Sequence, residues 1–161
     1  TRADAEKVVE AAKFPPLGNR SLLGINPHTL FKGGPAAEIM EKMNRETLVA
    51  GMIESMTAVE NADEIAAVEG IDMLLVGTNG LCNSLGVPGQ HDHAGVREAY
   101  AHVAATCRRH GKFLGVGGLN SRPEIAKEMI GLGAHYVSAG SDTGFLMSAA
   151  TATAQLYRDK G

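Results

Sequence analysis

Two groups of polar residues follow neighbouring apolar segments, at positions where their side chains could do chemistry. Glu54 comes directly after an apolar run over residues 48–53, and Thr78, Asn79 and Gly80 come soon after a second run over residues 73–76. In parallel sheets covered by helices, the C-terminal ends of the strands carry the ligand-binding groups. Both groups stand at such ends, which predicts a polar site where the two strands finish.

The sequence leaves two roles open for Glu54. A carboxylate that ends an apolar strand costs free energy unless a cationic group meets it. That cation is either a side chain, which makes a structural salt bridge, or a ligand, which makes a functional site. The turn at Thr78, Asn79 and Gly80 adds a weak signal, because backbone N–H groups of a glycine-bearing turn before a short helix can cradle an anion.

Four strand–helix units position these residues. Apolar runs begin near residues 48, 73, 112 and 136, and an amphipathic segment follows each one. Continuous apolar strands alternating with helices predict a parallel sheet and right-handed crossovers. The α/β class admits a self-contained open sheet or part of a barrel. The opening helix over residues 1–12, with no strand before it, favours a TIM (β/α)8-barrel type in which residues 1–161 form a single, partial domain.

Local signals place the helix boundaries. Thr1 and Asp4 predict a capping pair, and Ser121 to Glu124 predicts a capping box. Gly111 predicts the end of a helix that begins at residue 94. The remaining predictions are a helix over residues 35–43, a continuous helix over 56–68, a strand over 136–139, a final helix over 143–157, and a functional or interface loop over 19–34.

Composition excludes several classes of protein. The chain has 161 residues, a net charge of −3 and two cysteines. The acidic balance gives no basic field for nucleic acid and no polybasic membrane patch, and no apolar run is long enough to cross a bilayer. The cysteines form no CxxC pair, which favours a reduced, cytoplasmic protein. Hydrolase, NTPase and dinucleotide-binding motifs do not occur in the sequence.

Other polar residues have competing interpretations. In the segment His91-Asp92-His93, metal ligation competes with N-terminal capping of the next helix, and capping is favoured. Asp142 is likewise interpreted as a cap in preference to a residue of the site. Arg20 is suited either to binding an anion or to a contact between subunits, and the sequence does not choose between them.

Five segments together resemble the HpcH/HpaI aldolases, which are metal-dependent 2-oxo acid aldolases on a TIM-barrel fold, related to citrate lyase β-subunits. They are residues 13–20 (KFPPLGNR), 52–54 (MIE), 68–72 (VEGID), 77–81 (GTNGL) and 85–90 (LGVPGQ). The resemblance runs over essentially the whole chain. It matches the family's C-terminal part, from the helix after strand four to the helix after strand eight, which corresponds to the last four βα units.

The resemblance implies an activity and a set of site residues. The reaction is cleavage of a 4-hydroxy-2-oxo acid to pyruvate, or a similar short 2-oxo acid, and an aldehyde. A divalent ion (Mg²⁺, Mn²⁺ or Co²⁺) acts as the Lewis acid. Glu54 matches one metal ligand, the loop at Thr78, Asn79 and Gly80 matches the binding site for the substrate carboxylate, and Leu119, with Gly118, matches the pocket lining. The implied partner is a small-molecule substrate, and the family implies a homo-oligomer.

Two departures from the family pattern predict that metal binding and aldolase activity are impaired in this chain. The second metal ligand in the family is an Asp, and this chain has Gly80 at that position. The family's catalytic His, its acidic partner and its carboxylate-binding Arg lie on the first strands, and no residue here matches them. The alternatives are a non-catalytic half-barrel that acts as an assembly unit and a CoA-thioester lyase of the citrate lyase type.

Overall fold

Four parallel strands form one sheet in the order in which they occur along the chain. The computed structural model describes residues 1–158. Strand β1 (Ala50–Ile53) pairs with β2 (Met73–Gly77), β2 pairs with β3 (Phe113–Gly117), and β3 pairs with the short β4 (Tyr136–Val137). Helical segments lie in every connection, because parallel neighbours need a long crossover. The α/β class with a parallel sheet is confirmed.

The helices agree with most of the predicted boundaries. Thr1 and Asp4 form the predicted capping box, and Gly111 ends a helix with a φ of 62°. No helix among the described residues is long and apolar enough to cross a membrane. Within residues 1–158 the helices are α1 (Arg2–Ala12), α2 (Ala36–Glu46), α3 (Met56–Glu60), α4 (Ala62–Ala66), α5 (Thr78–Ser84), α6 (Ala94–His110), α7 (Pro123–Gly131) and α8 (Asp142–Arg158), with a 3₁₀ helix at Pro27–Thr29.

Three local predictions are wrong. The helix over residues 56–68 is two short helices, because the chain breaks at Asn61 between α3 and α4. The capping box at Ser121 does not form, since Arg122 is the N-cap of α7 and its guanidinium binds Glu124 instead. The strand predicted over residues 136–139 extends only to Val137.

The two faces of the sheet differ in exposure. Side chains on one face, such as Ile53, Leu74 and Val116, are fully buried, and they belong to one core cluster with residues of α1 and α3 to α7. The opposite face is open: Met52 is 55% exposed, Phe113 is 47% exposed and Tyr136 is 48% exposed. This alternation follows from the two-residue period of a strand. One face of the sheet therefore lacks a covering layer within residues 1–158.

The segment after α1 is tied to the end of α2. Lys13 is buried, and its Nζ donates to the backbone oxygens of Asn44 at 2.7 Å and Thr47 at 2.6 Å. A lysine suits these carbonyls, which lie at the negative end of the helix dipole. The Arg20 guanidinium lies over the Phe14 ring, 5.0 Å from its centroid. Arg20 is thus part of this packing, far along the chain from Glu54.

Candidate functional site

A cavity opens where the first three strands end. Its volume is about 320 Å³. Parallel pairing in register brings the ends of β1, β2 and β3 to the same edge, so residues distant in sequence meet there. The lining includes Glu54, Asn79, Gly80, Gly117, Gly118 and Ser138. The residues predicted to meet at the strand ends therefore line one cavity, with the exception of Leu119.

Glu54 packs directly against Gly80 at the wall of this cavity. A Cβ built on Gly80 would lie 2.8 Å from the Glu54 Cβ, 3.1 Å from the Glu54 backbone oxygen and 3.1 Å from Oε2. Glu54 is exposed, and none of the ion pairs within residues 1–158 involves it. Exposure keeps the carboxylate hydrated, so it needs no structural cation. The salt-bridge interpretation of Glu54 has no support in the described residues.

The predicted turn at residues 78–80 is the first turn of α5. Thr78 is fully buried, and its hydroxyl shares a 2.8 Å hydrogen bond with the hydroxyl of Tyr100 on α6. This bond satisfies both polar groups away from water, and it fixes the start of α5 against α6. Thr78 therefore borders the cavity with its backbone while its side chain points to a partner in the interior.

Asn79 is held by a histidine from a different loop. The side-chain oxygen of Asn79 lies 2.9 Å from His91 Nε2. His91 is only 8% exposed, and its Nδ1 is buried with no hydrogen-bond partner within residues 1–158. The Asn79 Nδ2 lies against Gly118, 3.1 Å from the position that a Cβ on Gly118 would take. One end of the Asn79 amide thus contacts His91, and the other lies beside the end of β3.

The residue predicted to line the pocket after β3 does not do so. Leu119 is 2% exposed and belongs to the buried core. Gly118 has a φ of 82°, a left-handed conformation that redirects the chain at this point. Gly117 and Gly118 line the cavity in place of Leu119, and their lack of side chains leaves room there.

The remaining predicted residues have local structural roles. The His93 ring accepts a hydrogen bond from the N–H of Gly95 at 3.2 Å, so capping of α6 is confirmed. Asp142 begins α8 and accepts from the N–H of Thr143 at 2.7 Å. Sequence reasoning missed Tyr100 and Ser138, for which the sequence gave no signal. It named His91 within the segment His91-Asp92-His93, but it did not predict the contact with Asn79.

The donor set does not complete a metal centre. Within residues 1–158, no group of three or more His, Cys, Asp or Glu side chains converges. Glu54 supplies one carboxylate, and Gly80 supplies no side chain opposite it. Mg²⁺ is commonly bound by one or two carboxylates together with water and substrate oxygens. Among the described residues, Glu54 is therefore the single carboxylate that this cavity offers to a divalent ion.

Comparisons with known proteins find relatives over nearly the whole chain. A family model described as HpcH/HpaI aldolase/citrate lyase matches residues 1–149. The chain is 36% identical, over 99% of its length, to the 4-hydroxy-4-methyl-2-oxoglutarate aldolase tasA of Hapsidospora irregularis. It is 32% identical over 98% of its length to the 5-keto-4-deoxy-D-glucarate aldolase of Shigella dysenteriae serotype 1. It also superimposes on the crystal structure of an HpcH/HpaI aldolase from Desulfitobacterium hafniense with a TM-score of 0.82 at 30% identity.

The matched proteins are longer than this chain. The chain spans 62% of the length of the Hapsidospora aldolase, 60% of the Shigella aldolase and 60% of the Desulfitobacterium chain, while 98–99% of this chain is covered in each comparison. The similarity therefore covers the four strand–helix units and the cavity together, within a larger protein in each relative.

Proposed function

Because this chain belongs to the HpcH/HpaI aldolase/citrate lyase family, we propose that it carries part of the site of a divalent-metal-dependent aldolase. The reaction proposed is cleavage of a 4-hydroxy-2-oxo acid to pyruvate and an aldehyde. The observation that carries the proposal is the cavity in which Glu54 faces Asn79 and Gly80 at the ends of adjacent parallel strands. The four βα units are assigned in this proposal to the last four units of a TIM barrel.

Different residues of the chain are proposed to bind the cation and the oxo acid. The Glu54 carboxylate is exposed at the cavity and free to meet a cation. The start of α5 presents Asn79 beside the glycines that end β3, where a short oxo acid has room. A bound Mg²⁺, Mn²⁺ or Co²⁺ would supply Lewis-acid stabilisation of an enolate. No group on the described residues is assigned as the catalytic base.

The chain is proposed to be impaired as an aldolase. Gly80 leaves the cavity with the single carboxylate of Glu54 in a family whose pattern has an Asp at this position. Loss of a ligand weakens metal binding by at least the roughly 10–100-fold measured for lost outer-shell partners. The open face of the sheet and the 60% coverage of relatives are consistent with further strands completing the site.

Calorimetric titration with Mn²⁺ and pyruvate tests this function. We expect Gly80→Asp to bind Mn²⁺ about tenfold or more tightly than the natural chain, because a second carboxylate then stands beside Glu54. The new Cβ would lie 2.8 Å from the Glu54 Cβ, so Glu54 must shift to admit it, and thermal unfolding should first show that the variant is folded. Gly80→Asn is the matched control: it adds the same bulk near the Glu54 Cβ without the charge, and it should bind no tighter than the natural chain. Turnover of 4-hydroxy-2-oxo acids should be absent or very low in the natural chain.

Two results would contradict the proposal. Equal Mn²⁺ affinity in the Asp and Asn variants would show that Glu54 and position 80 do not form a metal site. Full aldolase turnover by the natural chain would show that Gly80 impairs nothing. Adding Glu54→Gln to Gly80→Asp should abolish the gain in Mn²⁺ affinity. This result distinguishes the intended site from metal bound elsewhere on the surface.

A second candidate function is an assembly unit, and the open face of the sheet favours it. Met52, Phe113 and Tyr136 expose about half of their surfaces there. Exposed apolar patches of this kind mark interaction sites, and the β1 edge offers unpaired backbone groups. A homo-oligomer is therefore part of the proposal.

A cytoplasmic location is proposed from the free, buried state of Cys82 and Cys107. No described feature favours a CoA-thioester lyase.

A further inference from the structure

We infer that His91 is a positioning residue that fixes the side-chain amide of Asn79, so that its NH₂ group faces the cavity as a hydrogen-bond donor. The inference starts from the 2.9 Å contact between His91 Nε2 and the Asn79 side-chain oxygen. His91 is 8% exposed and comes from the loop before α6, twelve residues along the chain. Its ring reaches the cavity wall only through Asn79.

The tautomer of His91 decides which end of the amide faces the cavity. A neutral imidazole carries its proton on one nitrogen only. If Nε2 carries it, the ring donates to the Asn79 oxygen, and Nδ2 is left for the cavity. If Nδ1 carries it, Asn79 must donate to Nε2, and its oxygen turns toward the cavity as an acceptor or cation ligand.

The buried, unpartnered Nδ1 favours the first arrangement. Nδ1 has no hydrogen-bond partner among residues 1–158. A proton on Nδ1 would therefore make a buried N–H without an acceptor, and orphaned buried N–H groups are rarer in native proteins than under-satisfied acceptors. A proton on Nε2 leaves only a lone pair unpartnered, and it gives the Asn79 oxygen a donor. The Nε2–H tautomer therefore holds the Asn79 side chain with its oxygen toward His91 and its Nδ2 toward the cavity.

The fixed amide places a donor beside the end of β3. Asn79 Nδ2 lies against Gly118, where the absence of a Cβ leaves space for the amide, and both residues line the cavity. The Glu54 carboxylate lines the same cavity as a hydrogen-bond acceptor, whereas Asn79 Nδ2 is a donor. This arrangement selects a ligand that presents an oxygen acceptor, such as a carboxylate or carbonyl, toward Asn79. The choice of a short 2-oxo acid as that ligand rests on the function proposed above.

Nuclear magnetic resonance of ¹⁵N-labelled protein tests the positioning without requiring activity. A long-range ¹H–¹⁵N correlation should show the His91 proton on Nε2. In His91→Phe, which keeps a ring but has no donor, the Asn79 side-chain amide signals should move, and His91→Gln should restore them by donating from its own amide. His102→Phe makes the same replacement at an exposed position on α6 and should leave the Asn79 signals unchanged.

Pyruvate without metal serves as the ligand probe in the same samples. The Asn79 side-chain amide should shift on titration of the natural chain, and the apparent Kd should weaken roughly two- to tenfold in His91→Phe, as expected for one hydrogen bond. A proton on His91 Nδ1, or unchanged Asn79 signals in His91→Phe, would overturn the inference. The expected tautomer and Asn79 response without any pyruvate binding would uphold the positioning and count against the 2-oxo acid function.

Discussion

Burial raises the pKa of two side chains on α6, one at each end of the sheet: Tyr100 beside the start of α5 and Cys107 beside the start of β3. Burial raises the pKa of the Cys107 thiol on α6. Burial likewise raises the pKa of Tyr100, although its bond to the Thr78 hydroxyl opposes the shift. Both groups are neutral in the folded chain over a range in which the unfolded chain ionises. They therefore couple the stability of the α5–α6 region to alkaline pH.

The sign of this coupling gives a prediction. Above about pH 9, where an unfolded thiol ionises, the unfolded chain binds fewer protons than the folded chain, so the free energy of unfolding should fall as pH rises. Each such group contributes a slope of at most about 1.4 kcal/mol per pH unit. Urea unfolding at several pH values should show a shallower fall between pH 9 and 10 in Cys107→Ala.

Tyr100→Phe is the matched comparison. It removes a group whose unfolded counterpart ionises only near 10, so its effect on the slope should begin about one pH unit higher. It also leaves the buried Thr78 hydroxyl without a partner, which costs about 1–3 kcal/mol at neutral pH. If the free energy of unfolding of Cys107→Ala fell with pH as steeply as that of the natural chain, the raised pKa of Cys107 would be contradicted.

Residue-level prediction from the sequence succeeded where one side chain decides and failed where burial or a backbone turn decides. The position of Glu54 at a strand end was predicted because a charged residue interrupts an apolar run, and its role in the site stays a prediction. Leu119 was assigned to the pocket by the family resemblance, and the sequence does not show that Gly118 takes a left-handed φ. The contact between Asn79 and His91 depends on how the loop before α6 folds, which local spacing does not encode.

Helix α1 docks on the rest of the molecule through a glycine. Gly70 has a φ of 91°, and a Cβ there would lie 2.6 Å from Val9 Cγ1 on α1. Val9 is 6% exposed and part of the core. The close approach of α1 to the loop before β2 therefore depends on the missing side chain at position 70 as well as on its backbone conformation.

Substitution of this glycine should loosen α1. We expect Gly70→Ala to lower the free energy of unfolding by roughly 2–4 kcal/mol, because backbone strain and overpacking against Val9 add together. Gly133→Ala is the control, since Gly133 has a φ of 100° and no atom within 4 Å of its added Cβ. The Gly133→Ala variant should lose only the part of the free energy of unfolding that comes from backbone strain. Equal losses in the two variants, measured by urea unfolding, would show that Val9 does not restrict position 70.

Element-level prediction was accurate for strands and less so for helix continuity. The starts of all four strands were predicted within two residues, because glycines and polar turns bound short apolar runs. The break at Asn61 was missed because apolar residues continue at helical spacing on both sides of it. Periodicity reports which face is buried, but it does not report whether the backbone turns between two helical segments.

At the scale of the whole molecule, the two faces of the sheet are unequal. The helix-covered face holds the core, while the other face leaves Phe113 and Tyr136 about half exposed. None of the residues of α8 is buried. The described chain thus presents both an apolar sheet surface and an apolar helix, including Phe145 and Leu146, to its surroundings.

The open face predicts association in solution. We expect the mass of the 161-residue chain to exceed 16.8 kDa and to rise with concentration, because pairing would bury the exposed sheet face. Phe113→Lys should shift the chain toward monomer, whereas Ile130→Lys, at an exposed apolar residue on α7 and away from the open sheet face, should not. A single mass of 16.8 kDa at every concentration, measured by light scattering, would count against the assembly function.

The order of the strands in the sheet has a consequence for how the chain acquires its structure. Each strand pairs with the strand next to it in sequence, so closing the sheet joins no segments from opposite ends of the chain. Each pairing must close a long helix-bearing crossover, which is slower than closing a hairpin, but a chain made from its N-terminus can add each unit to the one before it. During synthesis, β1 and β2 can therefore pair, and bring Glu54 opposite Gly80, before the segments that form β3 and β4 exist.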